Sequence, residues 1–157
     1  MALLWSKQAL ATNPVPGIHS AGEVHVVEGK YDLAAALADE DVVALTRIPP
    51  GCIPIDARLE LDELDTGADA IVVDLALMEQ GAVAALANSE LIKDSTLGQA
   101  GGVARMDQLD AARRAVLEVS VEKERYVVLH VTTAPGTGAT SGRIKASVLF
   151  RGKEYDE

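Results

Sequence analysis

Three histidines and one cysteine are the residues best able to bind a metal ion or to act in catalysis. His19, His25 and His130 are far apart along the chain, and none stands at metal-ligand spacing from another or from Cys52. We interpret Cys52, which follows Gly51 at the entry to a strand, as a small buried thiol. The spacing therefore argues against metal catalysis, and we expect neither a metal nor a cofactor.

An acidic segment and two glycine-rich segments are the other candidates for ligand binding. The acidic residues are Asp62, Glu63, Asp65 and Asp69. Their spacing is irregular, whereas a calcium loop places oxygen ligands at alternate positions and ends on a glutamate. We interpret them as solvated carboxylates between two strands. Segments 98–102 and 134–142 lack the lysine followed by serine or threonine that a phosphate loop requires. No segment predicts an enzyme.

The charge balance argues against two classes of partner. The 14 Lys and Arg residues stand against 24 Asp and Glu residues, a net charge of −10. Binding to nucleic-acid phosphates or to an anionic membrane needs a basic surface. We therefore expect no nucleic-acid partner and no membrane partner. Only 3% of the residues are aromatic, so a groove that stacks sugars is poorly supplied.

Several short segments alternate between apolar and polar residues, as strands with one buried face do. The most regular is Ile53–Asp62, and the pattern recurs at Ala70–Leu77, Arg125–Thr132 and Arg143–Arg151. We expect the first two of these segments to form an antiparallel hairpin around the acidic turn. The alternation predicts a core made of Ile53, Ile55, Leu59, Leu61, Ile71, Val73, Leu75, Val127, Leu129, Val131, Ile144, Val148 and Phe150.

The number of strands predicts the fold class. About seven or eight strands, with turn residues between them and no alternation with long helices, favour an all-β, two-sheet β-sandwich of jelly-roll type. We divide the chain into an N-terminal extended arm (1–22), a sandwich domain (23–152) and an acidic tail (153–157). The domain contains a long, partly helical insertion at about 79–114.

Within and after this insertion the sequence predicts three short elements. Residues 82–87 and 106–114 favour short helices, and residues 116–121 favour a further strand. A connection of this length in a compact sandwich is usually functional or packed on something.

The N-terminal arm combines an apolar tip with a Pro-Val-Pro sequence. The two leucines and the tryptophan would be costly to leave in water, and the prolines favour an extended backbone. We interpret the arm as a contact with a neighbouring subunit, the alternative being a disordered terminus. Symmetric association would cover it, so we expect a homo-oligomer, with a trimer preferred to a dimer. The candidate interface residues are Leu3, Leu4, Trp5, Pro14, Val15 and Pro16.

The order of several motifs resembles that of a known family. After the Pro-Val-Pro arm come EVHVVEGKYDLAAALADEDVVALTRIPPGC, LDTGADAIVVDLAL, AGGVAR and VTTAPGTGATSGRIKASVLFR. In this order, from about residue 13 to residue 151, they are similar to tailed-bacteriophage virion proteins that decorate or cement the icosahedral head.

The resemblance implies a function without catalysis. It implies a jelly-roll-like sandwich on the outer surface of a capsid, assembled in the host cytoplasm, which bridges major capsid protein subunits as a homo-oligomer. An alternative from another class is a carbohydrate-binding or adhesion module on a β-sandwich, against which the scarcity of aromatic residues argues. A cupin-type enzyme would need a histidine pair that the sequence lacks.

Overall fold

A computed structural model describes residues 1–6, 9–10, 23–119 and 121–152 of the chain. In chain order, the described strands are β1 (Leu3–Trp5), β2 (Val24–Asp32), β3 (Val42–Ile48), β4 (Cys52–Leu61), β5 (Val72–Glu79), β6 (Ile92–Ser95), β7 (Gly102–Arg105), β8 (Arg125–Thr133) and β9 (Arg143–Gly152). A 3₁₀ turn (Leu97–Gln99) precedes β7, and a helix, α1 (Ala111–Leu117), follows it. No helix among these residues is long and apolar enough to cross a membrane.

The strands form two sheets that pack face to face. The first sheet has the order β1-β3-β8-β5-β6, and the second has the order β2-β9-β4-β7. Apart from the parallel pair of β1 and β3, the strand pairs are antiparallel. The predicted all-β, two-sheet sandwich is confirmed. Of the 13 predicted core residues, all but Ile55 are buried.

A β-bulge in β4 explains why Ile55 is exposed. Pro54 pairs with Phe150 and Asp56 pairs with Leu149, so Ile55 is an extra residue in the ladder. A bulge changes which parity faces inward, because two residues on one strand oppose one on its partner. After the bulge Ala57, like Leu59 and Leu61 beyond it, faces the core. The alternation is therefore real on each side of residue 55, but it changes phase there.

The bulge predicts opposite outcomes for two substitutions in the same strand. Leu59→Ala removes a fully buried side chain from between the sheets and should lower the free energy of unfolding by about 2–5 kcal/mol. Ile55→Ala shortens a side chain that is 39% exposed and should cost less than about 1 kcal/mol. Urea unfolding of both variants measures the difference. Equal losses would contradict the bulged register.

The predicted hairpin of residues 53–61 with residues 70–77 is wrong. β4 belongs to the second sheet and β5 to the first, so residues 62–71 cross from one sheet to the other. Alternation shows that each strand has one buried face, but it does not determine which strand lies beside it. The partner of β4 along most of its length is β9, and the partner of β5 is β8.

The segment predicted as an insertion contributes to both sheets. β6 extends the first sheet beyond β5, and β7 extends the second sheet beyond β4. Residues 82–87 form bends, a turn and irregular backbone, so the helix predicted there is wrong. The helix that forms, α1, begins after Asp110, whose side chain accepts a hydrogen bond from the N–H of Arg113, so the helix predicted at 106–114 starts later than expected. The strand predicted at 116–121 is also wrong, because Val116 and Leu117 complete α1. The predicted arm, domain and tail boundaries stay a prediction.

Candidate functional site

The outward side of the second sheet is called here the outer face, and its exposed apolar side chains make it the candidate interface. Eight large apolar side chains are exposed among the described residues, and four of them lie on this face. Val24 and Val26 of β2 are 54% and 59% exposed, Ile55 of β4 is 39% exposed, and Val103 of β7 is 49% exposed. Leu149 pairs with Val26 and is half-buried between β2 and the bulge. An exposed apolar group of this kind is typical of interaction surfaces.

A groove adjoins the outer face next to the bulge. It has a volume of about 430 Å³ and lies between β4 and the segment that contains α1. Its apolar lining consists of Ile53, Pro54, Ile55, Met106 and Leu109, with Glu118 and Arg151 among the polar groups. Ile53 is buried, but it lines this groove and lies outside the core between the sheets, so its predicted place in the core is wrong. The bulge therefore places two isoleucines on the outer side of the sheet.

The charges of the second sheet differ in sign from those of the chain as a whole. Its four strands contain six Lys and Arg residues and four Asp and Glu residues, a net charge of +2. Since the chain carries −10, the remaining residues carry −12.

The four carboxylates of this sheet all take part in ion pairs. The nearest atoms of Lys145 and Glu28 are 3.2 Å apart, those of Arg143 and Asp32 are 3.1 Å apart, and those of Arg58 and Glu60 are 3.4 Å apart; Arg105 pairs with Asp56. Exposed pairs of this kind contribute little to stability. They do neutralise the carboxylates of the four strands, so these strands lack the acidity of the rest of the chain, although Asp107 and Glu118 lie beside them at the groove.

Part of the predicted N-terminal interface packs on its own chain. Leu3, Leu4 and Trp5 form β1 at the edge of the first sheet, parallel to β3. Trp5 contacts Tyr126 edge to face, with ring centroids 4.9 Å apart, and Leu4 packs against the core between the sheets. The three side chains remain partly exposed. Pro14, Val15 and Pro16 lie outside the described residues. The role of all six as a contact between subunits stays a prediction.

Asp65 is the one member of the acidic segment that the structure buries completely. The interpretation of the four carboxylates as solvated is therefore wrong for Asp65. Its carboxylate accepts hydrogen bonds from five backbone N–H groups of two different loops. The donors are Gly67 at 3.2 Å, Ala70 at 2.8 Å, Ile71 at 3.1 Å, Gly136 at 2.8 Å and Thr137 at 3.0 Å.

The hydrogen bonds hold Asp65 in its charged form. The N–H of Thr137 lowers the pKa of this carboxyl the most; burial raises it, and the N–H groups of Gly136, Ala70 and Gly67 lower it further. The net effect is a pKa well below the usual range of a carboxyl group. Asp65 thus fastens the crossing between the sheets to the glycine-rich loop 134–142. Because both oxygens of Asp65 already accept hydrogen bonds from backbone N–H groups, this carboxylate is not available as a calcium ligand.

Cys52 and Arg125 form a buried pair at one end of the sandwich. Burial raises the pKa of the Cys52 thiol to about 11, and the charge of Arg125 opposes this shift. Arg125 donates a hydrogen bond to the carbonyl oxygen of Cys52 at 2.8 Å, while burial lowers the pKa of its guanidinium. A thiol that stays protonated is a poor nucleophile. The buried contact of Cys52 with Arg125 is therefore suited to packing at this end of the sandwich and not to nucleophilic attack by the thiol.

The described histidines lie on different sheets. His25 of β2 stacks on Phe150, with ring centroids 5.7 Å apart, and His130 of β8 is 3.2 Å from a carboxylate oxygen of Glu40. In the part of the chain that the structure describes, no group of three or more His, Cys, Asp and Glu side chains could hold a metal ion. The expectation that the chain binds no metal stays a prediction.

Solved structures of phage capsids contain chains that match this fold. A chain of "Capsid of Ralstonia phage GP4" superposes with a TM-score of 0.83 and 29% sequence identity, covering 98% of this chain and 99% of that chain. The protein is similar to a phage capsid protein. The resemblance indicated by the motif order is thus confirmed at the level of phage capsid proteins.

A second match agrees with the first in fold. A chain of "Cyanophage Pam1 capsid asymmetric unit" has a TM-score of 0.65 and 23% identity, over 90% of this chain and 93% of that chain. No family model matches the sequence, and no curated protein matches it significantly.

The outer face was missed by the sequence analysis although one signal indicated it. In β2, Val24 and Val26 share their parity with Glu28, Lys30 and Asp32, which must face solvent. Since side chains of one parity share a face, the two valines must also point outward. The exposure of Ile55 had no such signal, because it depends on the bulge.

Proposed function

We propose that this protein is a structural component of a phage head. In this proposal it is a jelly-roll-type decoration or cement protein that binds the outer surface of the capsid and bridges neighbouring major capsid protein subunits. It would act as a homo-oligomer, with a trimer preferred to a dimer, and without catalysis. It would join the shell during assembly in the host cytoplasm.

The observation that carries the proposal is the match to a chain of the Ralstonia phage GP4 capsid. The two chains cover each other almost completely and share 29% of their residues. The outer face supports the same conclusion, because half of the exposed large apolar side chains among the described residues lie on this one sheet face.

Binding would stabilise the shell by mass action. A protein that binds the assembled state more tightly than the dissociated subunits shifts the equilibrium towards assembly. At a free concentration 100 times its Kd, it would add about 2.7 kcal/mol for each occupied site. When one bound molecule bridges two major capsid protein subunits, this binding free energy must be lost before the two subunits can separate.

The proposal predicts that heads carrying this protein survive heating or osmotic shock better than heads without it. Heads purified with and without the protein are heated in parallel, and release of DNA is measured. Cryo-electron microscopy of the same samples should show density for the sandwich on the outer surface of the loaded heads. Equal survival, together with no such density, would overturn the proposal. Binding to a glycan panel instead would favour the adhesion alternative.

A further inference from the structure

The outer face combines exposed apolar side chains with strands of net positive charge, although the chain as a whole is acidic. Three of its four exposed apolar side chains, Val24, Val26 and Ile55, lie at the end of the sheet that adjoins the groove. Its charged side chains belong to a sheet with a net charge of +2, whereas the other residues carry −12. The strands of the first sheet contain three Lys and Arg residues and three Asp and Glu residues, so the excess of acidic residues lies outside both sheets.

We propose that the outer face is the surface that docks on the phage head. Its occupant is a surface of the major capsid protein that is apolar opposite the two valines and Ile55 and carries a net negative charge around them. This inference rests on the proposed function and adds to it the docking surface and the chemistry of the partner.

Charge complementarity favours this occupant over a second copy of the chain. If two copies met through their outer faces, each would bring a net charge of +2 to the contact, and like charges oppose association. The first sheet of another copy carries no net charge to attract the outer face, and its apolar group of Leu3, Trp5 and Tyr126 is only partly exposed. The other exposed large apolar side chains among the described residues are Met1, Leu10, Val83 and Val119, which come from separate segments.

The apolar part of the proposal is tested with a matched pair of variants. Val26→Glu places a carboxylate on the outer face, and Val83→Glu makes the same change at a side chain of similar exposure outside the strands. Heads purified without this protein are mixed with each variant and co-sedimented. We expect Val26→Glu to raise the Kd at least ~10-fold and Val83→Glu to change it less than ~2-fold.

The charge part is tested with a second pair. Lys30→Glu reverses a charge on β2, and Lys93→Glu makes the same reversal on β6 of the other sheet. An acidic partner predicts that Lys30→Glu weakens binding several-fold, more strongly at low salt, whereas Lys93→Glu leaves it unchanged. Tighter binding of Lys30→Glu would show a basic partner and overturn this part of the proposal.

A measurement on the unmodified protein avoids any effect of the variants on folding. Lysine acetylation is compared between the free protein and the protein bound to heads, with mass spectrometry as the readout. We expect Lys30 and Lys145, which pair across β2 and β9, to be protected by the head, and Lys93 to stay reactive. Protection of Lys93 with reactive Lys30 and Lys145 would overturn the docking surface.

The outcomes separate this inference from the proposed function. If the unmodified protein does not bind heads at all, the proposed function is wrong and the inference fails with it. If it binds, but Val26→Glu binds equally well, only the docking surface is wrong. If Val26→Glu changes the mass of the free protein in solution, as measured by light scattering, the occupant is a second copy and the proposed partner is wrong.

Discussion

Asp65→Asn should lower the melting temperature of this protein by several degrees, more than any other single carboxylate-to-amide change. An amide has one acceptor oxygen in place of two and carries no charge, so it cannot satisfy the five N–H groups that now bind Asp65. Buried donors without partners are costly, and hydrogen bonds to a charged acceptor are the stronger ones. Differential scanning calorimetry at neutral pH measures the change.

The matched control is Asp69→Asn. Asp69 belongs to the same acidic segment but is exposed, and its backbone has a positive φ that asparagine tolerates well. We expect this variant to melt within about 1–2 °C of the unmodified protein, as exposed substitutions usually do. Equal effects of the two substitutions would show that the hydrogen bonds of Asp65 do not hold the loops together.

The pH dependence of the Asp65 effect has a definite sign. The pKa of Asp65 is lower in the folded protein than in the unfolded chain, where it is about 3.9. Its contribution is therefore fully present above about pH 5 and is lost as the pH falls below the unfolded pKa towards the folded one. The melting temperatures of the unmodified protein and of Asp65→Asn should converge between pH 5 and pH 2. A constant difference over that range would contradict the shifted pKa.

Gly29→Ala should lower the free energy of unfolding by about 3 kcal/mol, a large loss for a single methyl group. Gly29 lies in β2 where this strand of the second sheet passes against β3 of the first. A Cβ atom at this position would overlap the carbonyl group of Leu45 and would lie 2.9 Å from the Cβ of Thr46. Because the obstacle is backbone, one of the two strands has to move.

Urea unfolding of Gly29→Ala tests this close approach, and Glu28→Ala is the control. Glu28 is the neighbour of Gly29 in β2 but is exposed, so its truncation should change stability by less than about 1 kcal/mol. If Gly29→Ala unfolds at the same urea concentration as Glu28→Ala, the two strands are farther apart than the structure has them. The contact would then not set the position of β2.

The sequence by itself determined the long strands β4, β5, β8 and β9 and most of the faces that they bury. In β9 the alternation is unbroken, and in β8 the predicted core residues share one face; Val127, Leu129, Ile144 and Phe150 are all fully buried as predicted. Local pattern is sufficient there because a strand's side chains alternate between its two faces whatever its neighbours are. The motif order likewise indicated the resemblance to phage head proteins.

Strand pairing and the phase of β4 were decided only by the tertiary structure. Alternation is the same whether a strand pairs with its neighbour in the chain or with a distant one, so the predicted hairpin of β4 with β5 could not be excluded. The bulge at Ile55 is set by the pairing with β9, and it reverses the parity of the strand. The alternation places the apolar residues at 53, 55, 57, 59 and 61 on one face, so it cannot reveal that the inward-facing parity changes at the bulge.

The chemical character of single side chains also depended on the fold. Asp65 resembles its acidic neighbours in sequence, yet it is buried because the loop 134–142 brings the N–H groups of Gly136 and Thr137 to it from 71 and 72 residues away. The outer face likewise consists of side chains from four strands that are far apart in the chain. Its net charge and its apolar end exist only once β2, β9, β4 and β7 lie side by side. Composition sums charge over the whole chain, whereas an interface depends on which charges the fold brings together.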